Sequence, residues 1–244
     1  MISGRAFADA ATWIYDNRYS DKPFSSSKST TGDCVFINGD LLDQFVKQKT
    51  SSILAKHRRF VFIVHNSDLS FDARRLRLLL PHALHIYAIN TSIRHQHLTT
   101  IPLGFGDGAV KFASSFSPPT MERTIEVYLN LTLGTPGQRR HTLRTECIRA
   151  LADDPRVFIA SNRSMPEYFD DLCRSKFVVC PEGTGHDTHR LYESILCGAI
   201  PVVLSGPLNH FYQTLPVCIV TNWTDPYYEP IVKGMSFNIR NYYK

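Results

Sequence analysis

The sequence predicts an α/β protein built from two halves that share one alternating plan. In each half, short apolar runs rich in β-branched residues alternate with stretches whose apolar residues recur at helical spacing. A segment with two adjacent prolines, residues 109–122, separates the two series and is predicted to be an irregular linker. Alternation on both sides of a linker is typical of two Rossmann-like halves with largely parallel sheets.

The first half, residues 1–108, is predicted to contain strands and helices in alternation. The strands are expected at residues 34–37, 59–64, 84–89 and 99–103, and the helices at 5–19, 41–48 and 74–80. The glycine-rich segment at residues 104–108 is not followed by a lysine–serine pair or a clear helical pattern. We therefore do not expect a phosphate-binding loop for a nucleoside triphosphate there.

The second half, residues 123–222, repeats the pattern. The strands are expected at residues 125–131, 157–159, 177–180, 200–204 and 217–220, and the helices at 139–152, 165–173, 188–197 and 208–215. A tyrosine-rich tail, residues 223–244, is predicted to pack back on the body of the protein.

The most informative stretch is residues 175–204, which reads as strand, loop, helix and strand. A polar loop with two glycines, residues 182–187, follows the first strand. Asp187 or Thr188 is the expected N-cap of the helix, and Gly198 stands where a glycine commonly follows a helix. This unit places a flexible loop and a helix N-terminus at the carboxyl end of a strand, where open α/β sheets bind ligands.

Two charged residues near the start of that helix suggest the ligand. Arg190 can give paired hydrogen bonds to a pyrophosphate, and Glu193 can accept hydrogen bonds from adjacent sugar hydroxyls. Together they fit a nucleotide-sugar. The alternative is an ordinary ion pair between the two side chains, which stand three residues apart on one helix.

Other candidate residues lie at a helix start and at a strand end. Arg139, Arg140 and Arg144 open a predicted helix, where positive charge is unfavourable unless an anion binds. His65 and Asp68 follow a predicted strand, and either side chain can serve as a general base. The alternatives are a solvated basic turn for the three arginines, a hydrogen-bonded strand-end residue for His65 and a helix cap for Asp68.

Composition limits the classes of function. The 244 residues carry a net charge of +5, which mildly favours anionic ligands, but the scattered basic residues do not indicate nucleic acid. No apolar run approaches a membrane span, and the N-terminus lacks a signal-peptide pattern. The six cysteines show no C-x-x-C spacing, so buried free thiols and a soluble, cytoplasmic protein are expected.

Several motifs of this sequence resemble those of the exostosin-like glycosyltransferases of family GT47. The likeness rests on Tyr168 and Leu172, the run SKF from residue 175, the run CPEG from residue 180, Asp187, Arg190, Glu193, Gly198 and the run IPVV from residue 200. Weaker matches are HNSD from residue 65, IPLG from residue 101, YLN from residue 128 and the pair Arg139–Arg140. Because the chain is short for this family, it is most similar to compact soluble forms of large viruses or algae.

The resemblance implies a compact GT-B architecture, in which two Rossmann-like halves face a cleft, and an inverting transfer of sugar. Arg190 would then contact the diphosphate of a UDP-sugar and Glu193 its ribose, with Arg139 or Arg140 beside the phosphates. The donor pocket would be lined by Glu182, Gly183 and Thr188. The expected catalytic base is Asp68, with His65 as the second candidate.

The expected partners are a UDP-sugar donor, with UDP-xylose or another UDP-pentose as one candidate, and a glycan or glycoside acceptor. No D-x-D triplet occurs, which favours metal-independent chemistry without a cofactor. The alternative function is a non-catalytic glycan- or nucleotide-binding protein on the same scaffold. A dehydrogenase is disfavoured because no G-x-G-x-x-G follows an early strand.

Overall fold

The computed structural model describes residues 1–54, 58–119 and 121–225. The chain forms two compact units, the first comprising Ile2–Asp107 and the second beginning at Gly108. Each unit contains a five-stranded parallel sheet flanked by helices, which confirms the predicted α/β class and its two Rossmann-like halves. The predicted tail packing concerns residues that lie almost entirely outside the described part of the chain.

The described residues of the first unit form five strands, three α-helices and two short 3-10 helices. The strands are β1 (Trp13–Tyr15), β2 (Cys34–Asn38), β3 (Phe60–His65), β4 (Ala83–Ala88) and β5 (Leu98–Thr100). The α-helices are α1 (Gly4–Ala10), α2 (Leu42–Leu54) and α3 (Ala73–Leu79), and the 3-10 turns span Gly39–Leu41 and Leu80–His82.

The strands of the first sheet follow one another in chain order from β1 to β5. On one face, Phe45 of α2 and Leu79 of α3 pack against Phe62 and other buried residues. On the opposite face, Ala8 of α1 packs in a second cluster with Ile63. The order of the described strands never reverses, so this sheet has no switch point of the kind that forms a ligand crevice.

The second unit contains five strands and five helices among its described residues. The strands are β6 (Ile125–Asn130), β7 (Val157–Ala160), β8 (Ser175–Val179), β9 (Ile200–Leu204) and β10 (Cys218–Val220). The helices are α4 (Asp107–Ser115), α5 (Arg139–Leu151), α6 (Met165–Arg174), α7 (His189–Leu196) and α8 (Asn209–Tyr212), with α4 beginning at the boundary between the units.

The strand order of the second sheet is β7-β6-β8-β9-β10, and all pairs are parallel. The chain therefore moves from β6 to β7 on one side and then crosses to β8 on the other side of β6. Such a reversal opens a crevice between the carboxyl ends of the two strands, which is where ligands bind in open α/β sheets. The second sheet thus has its natural binding position at the ends of β6 and β8.

The core of the second unit is continuous with that position. Leu129 of β6 and Val179 of β8 pack with Cys147 and Leu151 of α5 in one buried cluster. All six cysteines are free and five of them are buried, as predicted. No helix in the described part of the chain is long and apolar enough to cross a membrane.

Two predicted stretches differ from the structure. The helix predicted over residues 5–19 ends at Ala10, and the following residues form β1, in which Ile14 is buried against Phe36 and its neighbours. The stretch predicted as irregular contains α4, whose Phe112 lies 4.8 Å from Phe169, measured between ring centroids. In both cases tertiary packing outweighed a weak local pattern.

Candidate functional site

The loop and helix that follow β8 place the candidate ligand residues at the switch point. After Val179, Cys180 donates its N–H to the carbonyl of Val202 and continues the sheet contact. Helix α7 begins after Thr188 and ends before Gly198, whose φ of 74° is the left-handed conformation predicted for a glycine at this position. The short connection directs the start of α7 at the crevice.

Arg190 and Glu193 do not form the ion pair that was the alternative interpretation of their spacing. No nitrogen–oxygen pair of these two described side chains lies within 4 Å. Glu193 instead accepts a hydrogen bond of 2.8 Å from the hydroxyl of Tyr168 on α6. Burial works against the charge of Arg190, but Tyr168, Cys180 and Glu193 nearby leave its pKa above the usual value. Both charges are therefore available for a ligand.

Three arginines converge beside the crevice. Arg140 and Arg144 stand one turn apart on α5, and burial first, then the charges of Arg190 and Arg140, lower the pKa of Arg144 to about 10. The Nε atoms of all three are buried and donate to no partner in the described chain. Arg144 also donates a hydrogen bond of 2.5 Å to the carbonyl of Thr132 in the loop after β6.

Two glycines allow the loops to approach these arginines. Gly134 has a φ of 83°, and a side-chain carbon there would stand 2.6 Å from Nε of Arg140. A side-chain carbon at Gly183 would stand 3.5 Å from the terminal nitrogen of Arg144. The loops after β6 and β8 therefore both contact the arginine cluster, which we define as Arg140, Arg144 and Arg190.

Thr188 supplies a further unpaired group. It occupies the N-cap position of α7, but its side chain makes no capping hydrogen bond and its hydroxyl is buried without a partner. The neighbouring Asp187 accepts hydrogen bonds from the hydroxyls of Tyr192, at 2.5 Å, and Tyr212, at 3.4 Å. Asp187 thus fixes the loop, and the Thr188 hydroxyl is left at the helix start.

Glu182 and Arg139 interact with each other at the edge of the site. Glu182 accepts hydrogen bonds from Arg139 and, at 3.1 Å, from Nδ1 of His186. Burial alone would raise the pKa of Glu182, but these two partners more than offset it, so the pKa is lowered. Glu182 is therefore a charged carboxylate that pairs with Arg139 and joins it to the loop after β8.

The chemistry of this edge suits a multivalent anion. Buried guanidinium donors without partners cost free energy, and like charges that face each other add to that cost. A bound diphosphate would satisfy both deficits, because its oxygens accept paired hydrogen bonds and its charge is opposite. In the described chain, no group of three or more His, Cys, Asp and Glu side chains is arranged to hold a metal ion.

His65 of the first unit has the geometry of the hydrogen-bonded strand-end residue that was its alternative interpretation. It is 1% exposed, its Nδ1 accepts from the N–H of Asn66 at 2.8 Å, and its Nε2 lies 3.3 Å from the carbonyl of Pro102. The ring also stacks with Phe36 and contacts Phe7 in a tilted arrangement. These contacts favour a structural role for the imidazole.

Asp68 is exposed on the loop that follows β3. Its expected alternative role, capping the next helix, is wrong, because Asp72 is the N-cap of α3 and accepts from the N–H of Arg75 at 2.9 Å. The Asp68 carboxylate makes no hydrogen bond or ion pair in the described chain. It is therefore free to accept a proton from a ligand.

The structure brings together most of the predicted donor residues and adds Tyr168. Arg140, Glu182, Gly183, Thr188 and Arg190 all lie at the carboxyl edge of the second sheet, with Arg139 beside Glu182 and Glu193 one turn into α7. Sequence reasoning named Arg144 only as one of three basic residues at a helix start where an anion could bind, and it gave no binding role to Tyr168. Nothing in the sequence linked Tyr168 to Glu193.

Comparison with known families supports a glycosyltransferase-like relationship. A family described as the RXYLT1 C-terminal domain, a xylosyltransferase-type glycosyltransferase domain, matches residues 138–211. The match covers under half of the chain, but it includes α5, the loop after β8 and α7. No match to the chain was found among curated proteins.

Proposed function

We propose that the protein is a glycosyltransferase that moves a sugar from a UDP-sugar to a hydroxyl of a glycan or glycoside. The observation that carries the proposal is the arginine cluster, three cations with unpaired buried donors at the switch point of a parallel sheet. The similarity of residues 138–211 to a xylosyltransferase-type domain supports UDP-xylose, or another UDP-pentose, as the first donor to test.

The arrangement suggests how the leaving group would be stabilised. As the bond to the sugar breaks, negative charge develops on the diphosphate, and fixed positive groups stabilise that charge. Arg140, Arg144 and Arg190 would supply these positive charges, with the Thr188 hydroxyl as a further hydrogen-bond donor. This is the charge that a metal provides in enzymes with a D-x-D triplet, so we propose metal-independent transfer.

Asp68 remains the proposed general base, and its exposed, unpaired carboxylate supports that role. In an inverting transfer the base takes the proton of the acceptor hydroxyl as the oxygen attacks the anomeric carbon. UDP leaves from the opposite face of the sugar. We do not extend this proposal to His65, because both of its ring nitrogens are engaged within the protein.

The decisive test of the donor site is Arg190→Ala, assayed by calorimetry with UDP. Loss of charge-assisted hydrogen bonds, each worth roughly 1.5–3 kcal/mol, should weaken UDP binding about tenfold or more. The matched control is Arg149→Ala, an exposed arginine at the other end of α5, which should bind UDP normally. Unchanged affinity in Arg190→Ala would refute the donor-site assignment. Tight UDP binding without turnover of any UDP-sugar would favour the non-catalytic alternative.

A further inference from the structure

Tyr168 and Glu193 form an isolated pair beside the arginine cluster. The hydroxyl of Tyr168, on α6, donates to one carboxylate oxygen of Glu193, on α7, over 2.8 Å. Glu193 is only 8% exposed, and its second oxygen accepts no hydrogen bond from the described chain. Burial first, and then the charge of Glu193, raise the pKa of Tyr168 well above its usual value, so its hydroxyl keeps its proton.

This pair explains why Glu193 does not neutralise Arg190. Oppositely charged side chains three residues apart on a helix are neighbours and commonly form an ion pair. The hydrogen bond from Tyr168 on α6 instead holds the Glu193 carboxylate more than 4 Å from every nitrogen of Arg190. Tyr168 thereby keeps one acceptor and one cation of the site separate, and both remain free for a ligand.

The arginine cluster and Glu193 are suited to bind different parts of one ligand. The unpaired Nε atoms of the arginine cluster require anionic oxygens, whereas the free oxygen of Glu193 requires a hydroxyl or amine donor. Arg190 and Glu193 are three residues apart on α7, which is a rise of about 4.5 Å along the helix. A ribonucleoside diphosphate carries both kinds of partner, because its diphosphate offers anionic oxygens and its ribose offers two vicinal hydroxyls.

We propose that Tyr168 is a positioning residue that reserves Glu193 for the ribose hydroxyls, and that this pair makes the site select ribonucleoside diphosphates over their deoxy analogues. The inference rests on the proposed nucleotide-sugar function. It assigns to Tyr168 a role in ligand selection and not merely in packing α6 against α7.

The test compares the affinity of the full chain for UDP and for 2′,3′-dideoxy-UDP by calorimetry. A buried carboxylate that loses its hydroxyl partner weakens binding strongly, so the wild type should bind the dideoxy analogue about tenfold or more weakly. In Tyr168→Phe this preference should fall to about threefold or less. Binding of inorganic pyrophosphate, which has no hydroxyl to contact Glu193, should also weaken in Tyr168→Phe, because the released carboxylate can then pair with Arg190.

The matched control is Tyr128→Phe. Its hydroxyl also donates to a buried carboxylate, Asp171, at 3.1 Å, but that carboxylate is held by Arg163 and Arg174 as well. The control should keep the full preference for UDP. If Tyr168→Phe does not fold, Glu193→Ala replaces it, and its preference should fall to about one.

Two failures are distinguishable. If UDP binds, depends on Arg190, and Tyr168→Phe or Glu193→Ala keeps the wild-type preference, the role of the pair is overturned while the donor site stands. The role of the pair is likewise overturned if the wild type binds UDP and its dideoxy analogue equally well. If UDP does not bind the wild type at all, the proposed function fails and the inference fails with it.

Discussion

Two arginines of the second unit, the half-buried Arg123 and the buried Arg144, lie in contrasting surroundings. Arg123 donates to three backbone carbonyls, those of Cys173, Ser175 and Cys197, and so ties the ends of α6 and α7 to the sheet. Arg144 donates to one carbonyl only, and its neighbours Arg140 and Arg190 repel it. The hydrogen bonds of Arg123 are made within the fold, whereas the Nε of Arg144 has no partner in the described chain and, under the proposed function, would bind an anion.

We therefore expect Arg144→Met to stabilise the ligand-free protein and to weaken nucleotide binding. Methionine keeps the apolar stem and removes a crowded buried charge, so the free energy of unfolding should rise by about 1 kcal/mol. The increase of the melting temperature that UDP produces should shrink at the same time. Thermal unfolding with and without UDP measures both effects.

Arg123→Met is the matched control for that substitution. It leaves three buried carbonyls without their donor and should lower the free energy of unfolding by roughly 3 kcal/mol. The interpretation of Arg144 would be wrong if Arg144→Met lost stability to the same degree and kept its full response to UDP. Arg144 would then be a support for the Thr132 loop.

The helix starts show how far single elements could be predicted. The sequence correctly predicted a helix after β3, but its cap is Asp72 and not Asp68, because the loop runs four residues further before the backbone turns. The 3-10 turn after β2 is likewise capped by Asn38, whose side chain accepts from the N–H of Asp40. Capping patterns with several Asp and Asn residues leave the choice to tertiary geometry.

Asp72→Ala should lower the free energy of unfolding by about 1 kcal/mol, because it removes the side-chain acceptor for the N–H of Arg75 at the start of α3. Asp68→Ala removes an exposed carboxylate without a partner and should leave stability unchanged within roughly 0.5 kcal/mol. Chemical denaturation of both variants checks the pair. Equal losses would mean that Asp68 contributes to the fold and would weaken its proposed role as a base.

At the scale of the whole molecule, the order of the strands in each sheet could not be predicted from the sequence. Alternating apolar runs predicted nine of the ten strands, and β1 was missed because its three residues continue a helix-like pattern. Nothing in those runs shows that the second sheet reverses at β6 while the first keeps chain order. The position of Arg190 near the carboxyl end of a strand was expected from the motif, but the convergence of Arg144 depended on the placement of α5.

This difference between the sheets predicts where UDP should act in the intact chain. Binding should slow amide hydrogen exchange in residues 131–138, in residues 180–188 and in the first turn of α7, since a bound ligand suppresses local opening around its site. The strands of the first unit should exchange as before. Mass-resolved exchange with and without UDP measures the pattern, and Arg190→Ala should abolish it. Protection centred on the loop after β3 would instead place the nucleotide on the first unit.

The charge of the arginine cluster also determines which small anions would compete with a nucleotide for this site. Three cations that repel one another attract any small multivalent anion, and the strength of such attraction falls as salt rises. Under the proposed function, inorganic phosphate and pyrophosphate would compete with the sugar donor for the same donors. Apparent donor affinity would then depend on the surrounding phosphate concentration, so a phosphate buffer would hide nucleotide binding that a neutral amine buffer reveals.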